Sequence, residues 1–273
     1  MFNERGNNRE KKYHLYDKYS EGKEVELQNS DGGKDIGVLV DDQLNYSQHI
    51  QQKINKTNSI MGLIRRTFTY INEHNFKYLF QALVIPHLEY AAAVWSPYKQ
   101  HDIDSIENVE RRATKQIPSF KNMEYPDRLK KLNMPTLKYR RLRGDVIETF
   151  KIITGIYNNE VTEGIFDLAP NTRTRGHSKK IKKKFCKINL RKFSFTNRIV
   201  DLWNTLPQPV IDAKDVRQFE IRLDKYWERQ DVKFEYKAGI QNKENTGNHT
   251  EISYIKEEVE VALVAESQRP QMT

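Results

Sequence analysis

The side chains best able to act on a ligand are cations. Lys179, Lys180, Lys182, Lys183, Lys184, Lys187, Arg191 and Lys192 crowd one stretch, with Phe185, Phe193 and Phe195 interleaved. Ammonium groups at this density suit a polyanion, and an aromatic ring among them can stack on an unpaired base. Phe193 and Phe195 equally suit the core of a following helix, and Lys179 to Lys184 also has the composition of a nuclear-targeting patch. Smaller basic sets recur at Arg65 and Arg66, at Arg111, Arg112 and Lys115, and at Arg140 and Arg141. Each reads either as a solvated helix face or as a row of phosphate contacts. Arg143, at the edge of an apolar stripe, suits inward pairing with a carboxylate or a phosphate contact.

Bond-making chemistry finds no comparable set. His49, His74, His87 and His101 lack zinc-ligand spacing and are expected in structural or surface roles. The lone cysteine, Cys186, has no paired His or Asp near it in sequence, so a nucleophilic role is not expected. Ser96 and Ser194 lie in no nucleophile elbow. Gly32-Gly33-Lys34 lacks the rest of a phosphate loop and reads as a turn. Asp41-Asp42 follows Leu39-Val40 and also reads as a polar turn rather than a metal-holding pair.

Composition narrows the classes. The chain has 273 residues, 37% apolar and 30% charged, with a formal net charge of +9. One or two domains are expected, and the clustered positive charge favours nucleic acid over a merely soluble basic surface. One cysteine permits no internal disulfide. No stretch approaches the ~20 apolar residues of a membrane span; the run from Leu79 to Trp95 is broken by Pro86, His87 and Glu89 and reads as buried helix. The segment Met1 to Gly6 has no apolar signal core. No membrane partner and an intracellular location, nuclear or cytoplasmic, are expected; oligomeric state is not legible.

The elements that must position the cations are mostly helical. Tyr13–Tyr16, Lys23–Leu27 and Ile36–Val40 are strand candidates, too few for a stable sheet alone. Ser47 is placed to cap a helix striped by Ile50, Ile54, Met61, Ile64 and Phe68. Asn72 is placed to cap the next, carrying Phe76, Leu79, Phe80 and Leu83, which Pro86 breaks or restarts. Residues 102–117 put Ile103, Ile106, Val109, Ala113 and Ile117 on one arc and Arg111, Arg112 and Lys115 on the other. A short helix starts at Pro126. Residues 136–157 place Tyr139, Leu142, Val146, Phe150, Ile153 and Tyr157 inward, with Arg140, Arg141 and Lys151 pointing away. After the basic loop or extended pair of 158–192, helical pattern returns at Phe195, Ile199, Leu202 and Leu206. A last helix, capped by Asp212, carries Val216, Phe219, Leu223 and Trp227. Trp95, Trp203 and Trp227 are expected in the core. The tail 231–273, with Glu257, Glu258, Glu260 and the apolar Val261 to Val264, reads as disordered.

Ordered motifs along this array resemble the C-terminal part of reverse transcriptases from non-LTR (LINE-type, jockey-like) retrotransposons. They are Asp35-Ile36-Gly37-Val38, then Leu63-Ile64-Arg65-Arg66, His87-Leu88-Glu89-Tyr90, Trp95-Ser96-Pro97-Tyr98, Arg111-Arg112-Ala113-Thr114-Lys115, Tyr139-Arg140-Arg141-Leu142-Arg143-Gly144-Asp145, Trp203-Asn204-Thr205-Leu206-Pro207 and Arg222-Leu223-Asp224. Each is weak alone; their shared order is the signal. The resemblance implies a palm-end β segment over 1–44, a helical thumb-like domain over 45–157, the basic loop 158–192 and a helical extension over 193–230. It implies a mainly α fold, a helical thumb-like array with a small N-terminal antiparallel β edge, the α+β remnant of a palm. It implies binding to an RNA–DNA hybrid or other nucleic acid through the basic residues named above.

The family's polymerase activity uses Mg²⁺ held by carboxylates, including an aromatic-x-Asp-Asp turn, and this chain has no such tetrapeptide. The expectation is therefore a gripping fragment, not an enzyme by itself and with no cofactor of its own. A helical protein-interaction module and a relic of a truncated transposable element are the rival expectations.

Overall fold

A computed structural model describes residues 30–170 and 176–240, and the backbone of Tyr13–Tyr16 and Glu24–Leu27. The expectations for Glu257 to Val264 lie outside the described residues. The fold is mainly helical with a small antiparallel β edge.

β1 (Tyr13–Tyr16) pairs with β2 (Glu24–Leu27), and β3 (Gly32–Asp35) pairs antiparallel with β4 (Val38–Asp41). The expected turn at Gly32-Gly33-Lys34 is instead a strand, and the turn sits at Ile36-Gly37. Both residues there have positive φ, 40° and 81°, as a two-residue hairpin of the primed type requires. Ile36 adopts this conformation against its β-branched preference, and the Tyr90 hydroxyl holds its carbonyl at 2.8 Å. Gly32 is needed for a different reason: a Cβ there would lie 2.9 Å from the Val40 carbonyl oxygen.

α1 (Ser47–Thr67) buries Ile50, Ile54, Met61 and Ile64. Ser47 does not cap it; Tyr46 occupies the cap in a left-handed conformation, and the Ser47 hydroxyl donates to Asp102 at 3.0 Å. Phe68 leaves the stripe because the helix ends there in extended backbone, and it is exposed. Asn72 caps α2 (Glu73–Leu79), accepting from the Asn75 N–H at 2.8 Å. The chain then passes through a π turn, Phe80–Val84, into α3 (Ile85–Glu89). Pro86 marks the expected restart rather than a break: it falls in the first turn of α3, where α spacing resumes after the π turn, which absorbs the change of spacing.

α4 (Ala92–Trp95), α5 (Gln100–Thr114), a 3₁₀ turn at Pro118–Phe120 and α6 (Tyr125–Leu132) complete a first core around Phe76, Phe80, Leu88, Trp95, Ile106 and Phe120. α7 (Leu137–Ile153) is capped by the Thr136 hydroxyl, which accepts from the Tyr139 N–H at 3.1 Å. It spans two cores: Leu137 belongs to the first, and Tyr139, Val146 and Phe150 to the second. The second core adds α10 (Phe195–Asn204), α11 (Gln208–Ile211) and α12 (Val216–Tyr226), with Trp203 and Trp227 buried in it. Asp215, not Asp212, caps α12. Tyr157, beyond the end of α7, is exposed.

Residues 231–240 differ from the disordered tail expected to start at 231. A 3₁₀ turn at Asp231–Lys233 buries Val232 completely, and Tyr236 returns to the first core. The Thr136 hydroxyl donates to the Val232 carbonyl at 2.7 Å, and Lys138 Nζ donates to the carbonyls of Tyr236 and Ala238. Val232, Phe234 and Tyr236 alternate with polar residues, a period-two signal too short to read as an element.

Candidate nucleic-acid interface

The basic segment is anchored at its base by the second core. His177 and Ile181 are buried, so this part of the expected loop belongs to the core. Leu168 bridges Ile181 in a short extended pair, with the Ala169 N–H 2.8 Å from the Lys180 carbonyl and the Lys182 N–H 2.7 Å from that of Asp167. Trp203 Nε1 donates to the Lys179 carbonyl at 2.7 Å. The Asn204 amide meets both the N–H and the C=O of Ile181 at 2.9 Å. The Trp203-Asn204 pair thus clamps the backbone on which the lysines start.

From Lys182 the chain is exposed as far as Phe185, and again from Lys187 to Lys192, which includes α9 (Asn189–Lys192). Lys183 pairs with Asp201, and Lys184 with Asp167 at 3.0 Å. Lys182, Lys187 and Arg191 have no carboxylate partner among the described residues. Lys179 and Lys180 are half-buried and are therefore the least available of the set. Phe193 stacks on Tyr98 with ring centres 4.7 Å apart, and Phe195 lies 5.8 Å from Phe166. Phe185 has no such neighbour and is 87% exposed.

A second basic surface is a groove of about 560 Å³ lined by Arg111, Lys115, Lys121, Arg128 and Lys237, against the two acids Glu124 and Glu235. The Arg111 guanidinium is held between the rings of Tyr125 and Tyr236, 5.2 and 5.5 Å from their centres. Arg112 reaches Asn58 at 3.3 Å and meets no acid among the described residues. Since Ser47 touches Asp102 and Asn58 touches Arg112, α1 and α5 run parallel. Their C-terminal ends, with the exposed Arg65 and Arg66 on one and Arg112 and Lys115 on the other, point the same way.

Arg140 and Arg141 do not belong to either surface. Arg140 makes a two-pronged pair with Glu89. Arg141 is buried, 3.8 Å from Glu107. The expectation that both point outward fails because α7 is covered on that side as well, by α4 and α5. Arg143 pairs with Asp224 at 2.6 and 2.9 Å and also faces Glu220; it takes a carboxylate partner, but an exposed one rather than the buried one expected of inward pairing. Arg198 joins α10 to α7 through Asp145 at 2.9 and 3.0 Å, and to α4 through the Ala93 carbonyl at 2.8 Å.

Around Arg141 lies a charged cluster that sequence periodicity hides. Glu107 and Glu110 sit one turn apart on α5 and are both fully buried. The Tyr125 hydroxyl oxygen lies 2.8 Å from Glu110 Oε2 and 3.3 Å from Glu107 Oε2. One hydroxyl hydrogen cannot serve two carboxylates, so one of the acids must carry a proton. Glu107 already accepts the Lys138 N–H at 2.5 Å and faces Arg141, which favours its anion. Glu110 Oε1 has no partner. Burial raises the pKa of both acids, and Glu110, with fewer partners, is the better site for the proton. Burial, and after it the charge of Glu107, pushes Glu110 up to about 8. The glutamates gave no signal beforehand because a charged residue beside an apolar arc reads as solvated.

The same geometry weighs the metal that the resemblance implies for the whole enzyme. Asp41 uses both carboxylate oxygens on the backbone N–H groups of Gln43, Asn45 and Tyr46, at 2.8 to 3.0 Å. Asp42 is exposed on the turn. No group of three His, Cys, Asp or Glu side chains is placed to hold a metal ion among the described residues, so the residues present do not fit a two-metal centre. His49 is buried instead as a structural acceptor, its Nδ1 taking the Leu39 N–H at 3.0 Å. Burial first, and Lys53 second, lower its pKa to about 4. No helix among the described residues is long and apolar enough to cross a membrane.

No family model matches the chain, and no solved structure does. An uncharacterized protein of Caenorhabditis elegans is 26% identical over 128 residues, which cover 45% of this chain and 64% of that protein. The chain thus spans less than two thirds of the relative's length.

Proposed function

We propose that this chain grips the phosphate backbone of nucleic acid and supplies no reacting group of its own. In this reading it corresponds to the palm end and thumb of a non-LTR reverse transcriptase, and its work is to hold an RNA–DNA hybrid in position. The observation that carries the reading is the fate of the cations. Lys182, Lys187 and Arg191 stand on a segment clamped at its base by Trp203 and Asn204 and meet no carboxylate. Arg111, Lys115, Lys121 and Lys237 line a second groove that holds only two acids. Unneutralised cations on a fixed backbone release counterions when phosphates replace them. Holding a duplex in register contributes to a reaction through orientation alone.

The experiment is fluorescence anisotropy of a labelled RNA–DNA hybrid with the full chain, repeated across salt concentrations. The reading expects binding at low salt that weakens linearly on a log–log plot. No binding at low salt rejects it.

A second reading, a protein-interaction module, is favoured by one observation. Leu63, Phe68, Tyr70 and Tyr78 are all exposed around the turn between α1 and α2, where a partner protein would cover them. It predicts capture of a specific protein partner with no salt-sensitive affinity for nucleic acid.

A further inference from the structure

A groove of about 490 Å³ opens beside α9 and the start of α10. Its lining includes Lys184, Phe185, Leu190, Arg191, Thr196 and Asn197. It combines an exposed ring, two cations and the amide of Asn197. Phe185 is 87% exposed, and no aromatic neighbour stacks on it among the described residues. Arg191 has no carboxylate partner, and Lys184 has one half-exposed partner, Asp167. The Asn197 amide is fixed by Nδ2, which donates to the Arg191 carbonyl at 2.6 Å and lies 3.2 Å from Cys186 Sγ. Its Oδ1 has no hydrogen-bond partner among the described residues, and the amide is one of the groups lining the groove.

We propose that this groove is a subsite for one unstacked nucleotide of a single strand, with the base on Phe185 and the neighbouring phosphate on Arg191 and Lys184. The inference rests on the nucleic-acid reading above and narrows it, since a duplex keeps its bases stacked and offers Phe185 nothing to cover. A flat ring beside cations, one of them without a carboxylate partner, matches a ligand that is both aromatic and anionic. An anionic membrane surface matches the cations and Phe185 but not Asn197. An acyl chain in the groove would leave Asn197 Oδ1 facing hydrocarbon without a hydrogen bond, which is costly, whereas the Thr196 hydroxyl is already paired with the Ser194 hydroxyl at 3.3 Å.

The test compares the full chain with Phe185→Ala and Phe185→Tyr in three binding assays: a labelled single-stranded 15-mer, the RNA–DNA hybrid, and phosphatidylserine-containing vesicles. Since the ring touches no core residue, the variants are expected to keep the parent melting temperature. Phe185→Ala should weaken single-strand binding by about 5-fold or more while hybrid affinity stays within about 2-fold, and Phe185→Tyr should restore the single-strand value. Equal single-strand affinity for parent and Phe185→Ala, with hybrid binding intact, overturns the subsite and leaves the broader reading standing. A loss confined to vesicles overturns it in favour of a membrane surface. Absence of binding to either nucleic acid by the parent chain overturns both.

Discussion

Two charged regions of this molecule face opposite fates. Around Arg141, two glutamates, a tyrosine and an arginine are shut between α5, α6 and α7, and Arg141 faces Glu107 inside the protein. Between Lys182 and Lys192 the charges outnumber their partners and face solvent. Both look alike as sequence: basic residues beside apolar ones. What separates them is whether a second helix covers the polar side. α7 is packed by α4 and α5 on one side and by α10 and α12 on another, so Arg141 meets its acid in the interior while Arg140 and Arg143 pair at the rim. The 182–192 segment has the core on one side only.

This contrast can be broken from the buried side first. Arg141→Ala leaves the Glu107 carboxylate buried without its cation. It should cost about 3–5 kcal/mol, read as a lower midpoint in urea unfolding. A loss under about 1 kcal/mol would show that water reaches the cluster. On the exposed side, the triple variant Lys182→Ala, Lys187→Ala, Arg191→Ala should change unfolding by no more than about 0.5 kcal/mol. Its effect should appear in nucleic-acid affinity instead.

Acid and base titration sharpens the same division. Glu110 holds its proton to about 8 when folded, against 4.5 ordinarily. The stability it contributes is therefore full below about 4.5 and lost as pH rises through about 8. His49 has the opposite sign: lowered from 6.5 to about 4, it contributes stability above 6.5 that is lost as pH falls through 4. The melting temperature should decline on both sides of the mildly acidic range, and Glu110→Gln should flatten only the alkaline limb. An unchanged alkaline limb would place the proton elsewhere. The smallest effect is expected at Gly144, exposed on α7 with open space where a Cβ would go. Gly144→Ala should raise stability by about 0.5–1 kcal/mol in thermal melts.

Much of the scaffold was legible because helical period and caps are local. Ile50, Ile54, Met61 and Ile64 mark α1 at the right spacing, Asn72 caps α2 as expected, and the three tryptophans are buried. The matched motifs turn out to include structural joints: Asn204 clasps Ile181, and Arg198 reaches Asp145 across 53 positions. What stayed hidden depends on distant packing. Arg141 reads as exposed until α5 is laid over it. Glu107 and Glu110 read as solvated until Tyr125 arrives from α6. Residues 231–240 are held by Thr136 and Lys138, about 100 positions earlier. Within the candidate interface, the lysine run was plain, but which lysines stay free required knowing where Asp167 and Asp201 fall.

The most direct test of the central claim is the salt slope of hybrid binding, measured for the parent chain and for the Lys182, Lys187 and Arg191 triple variant. If those three cations contact phosphates, the parent's log–log slope should exceed the variant's by roughly 2–3, with the fold intact in both. Identical slopes, or no salt dependence in the parent, would contradict the account that this surface was left unpaired for a polyanion.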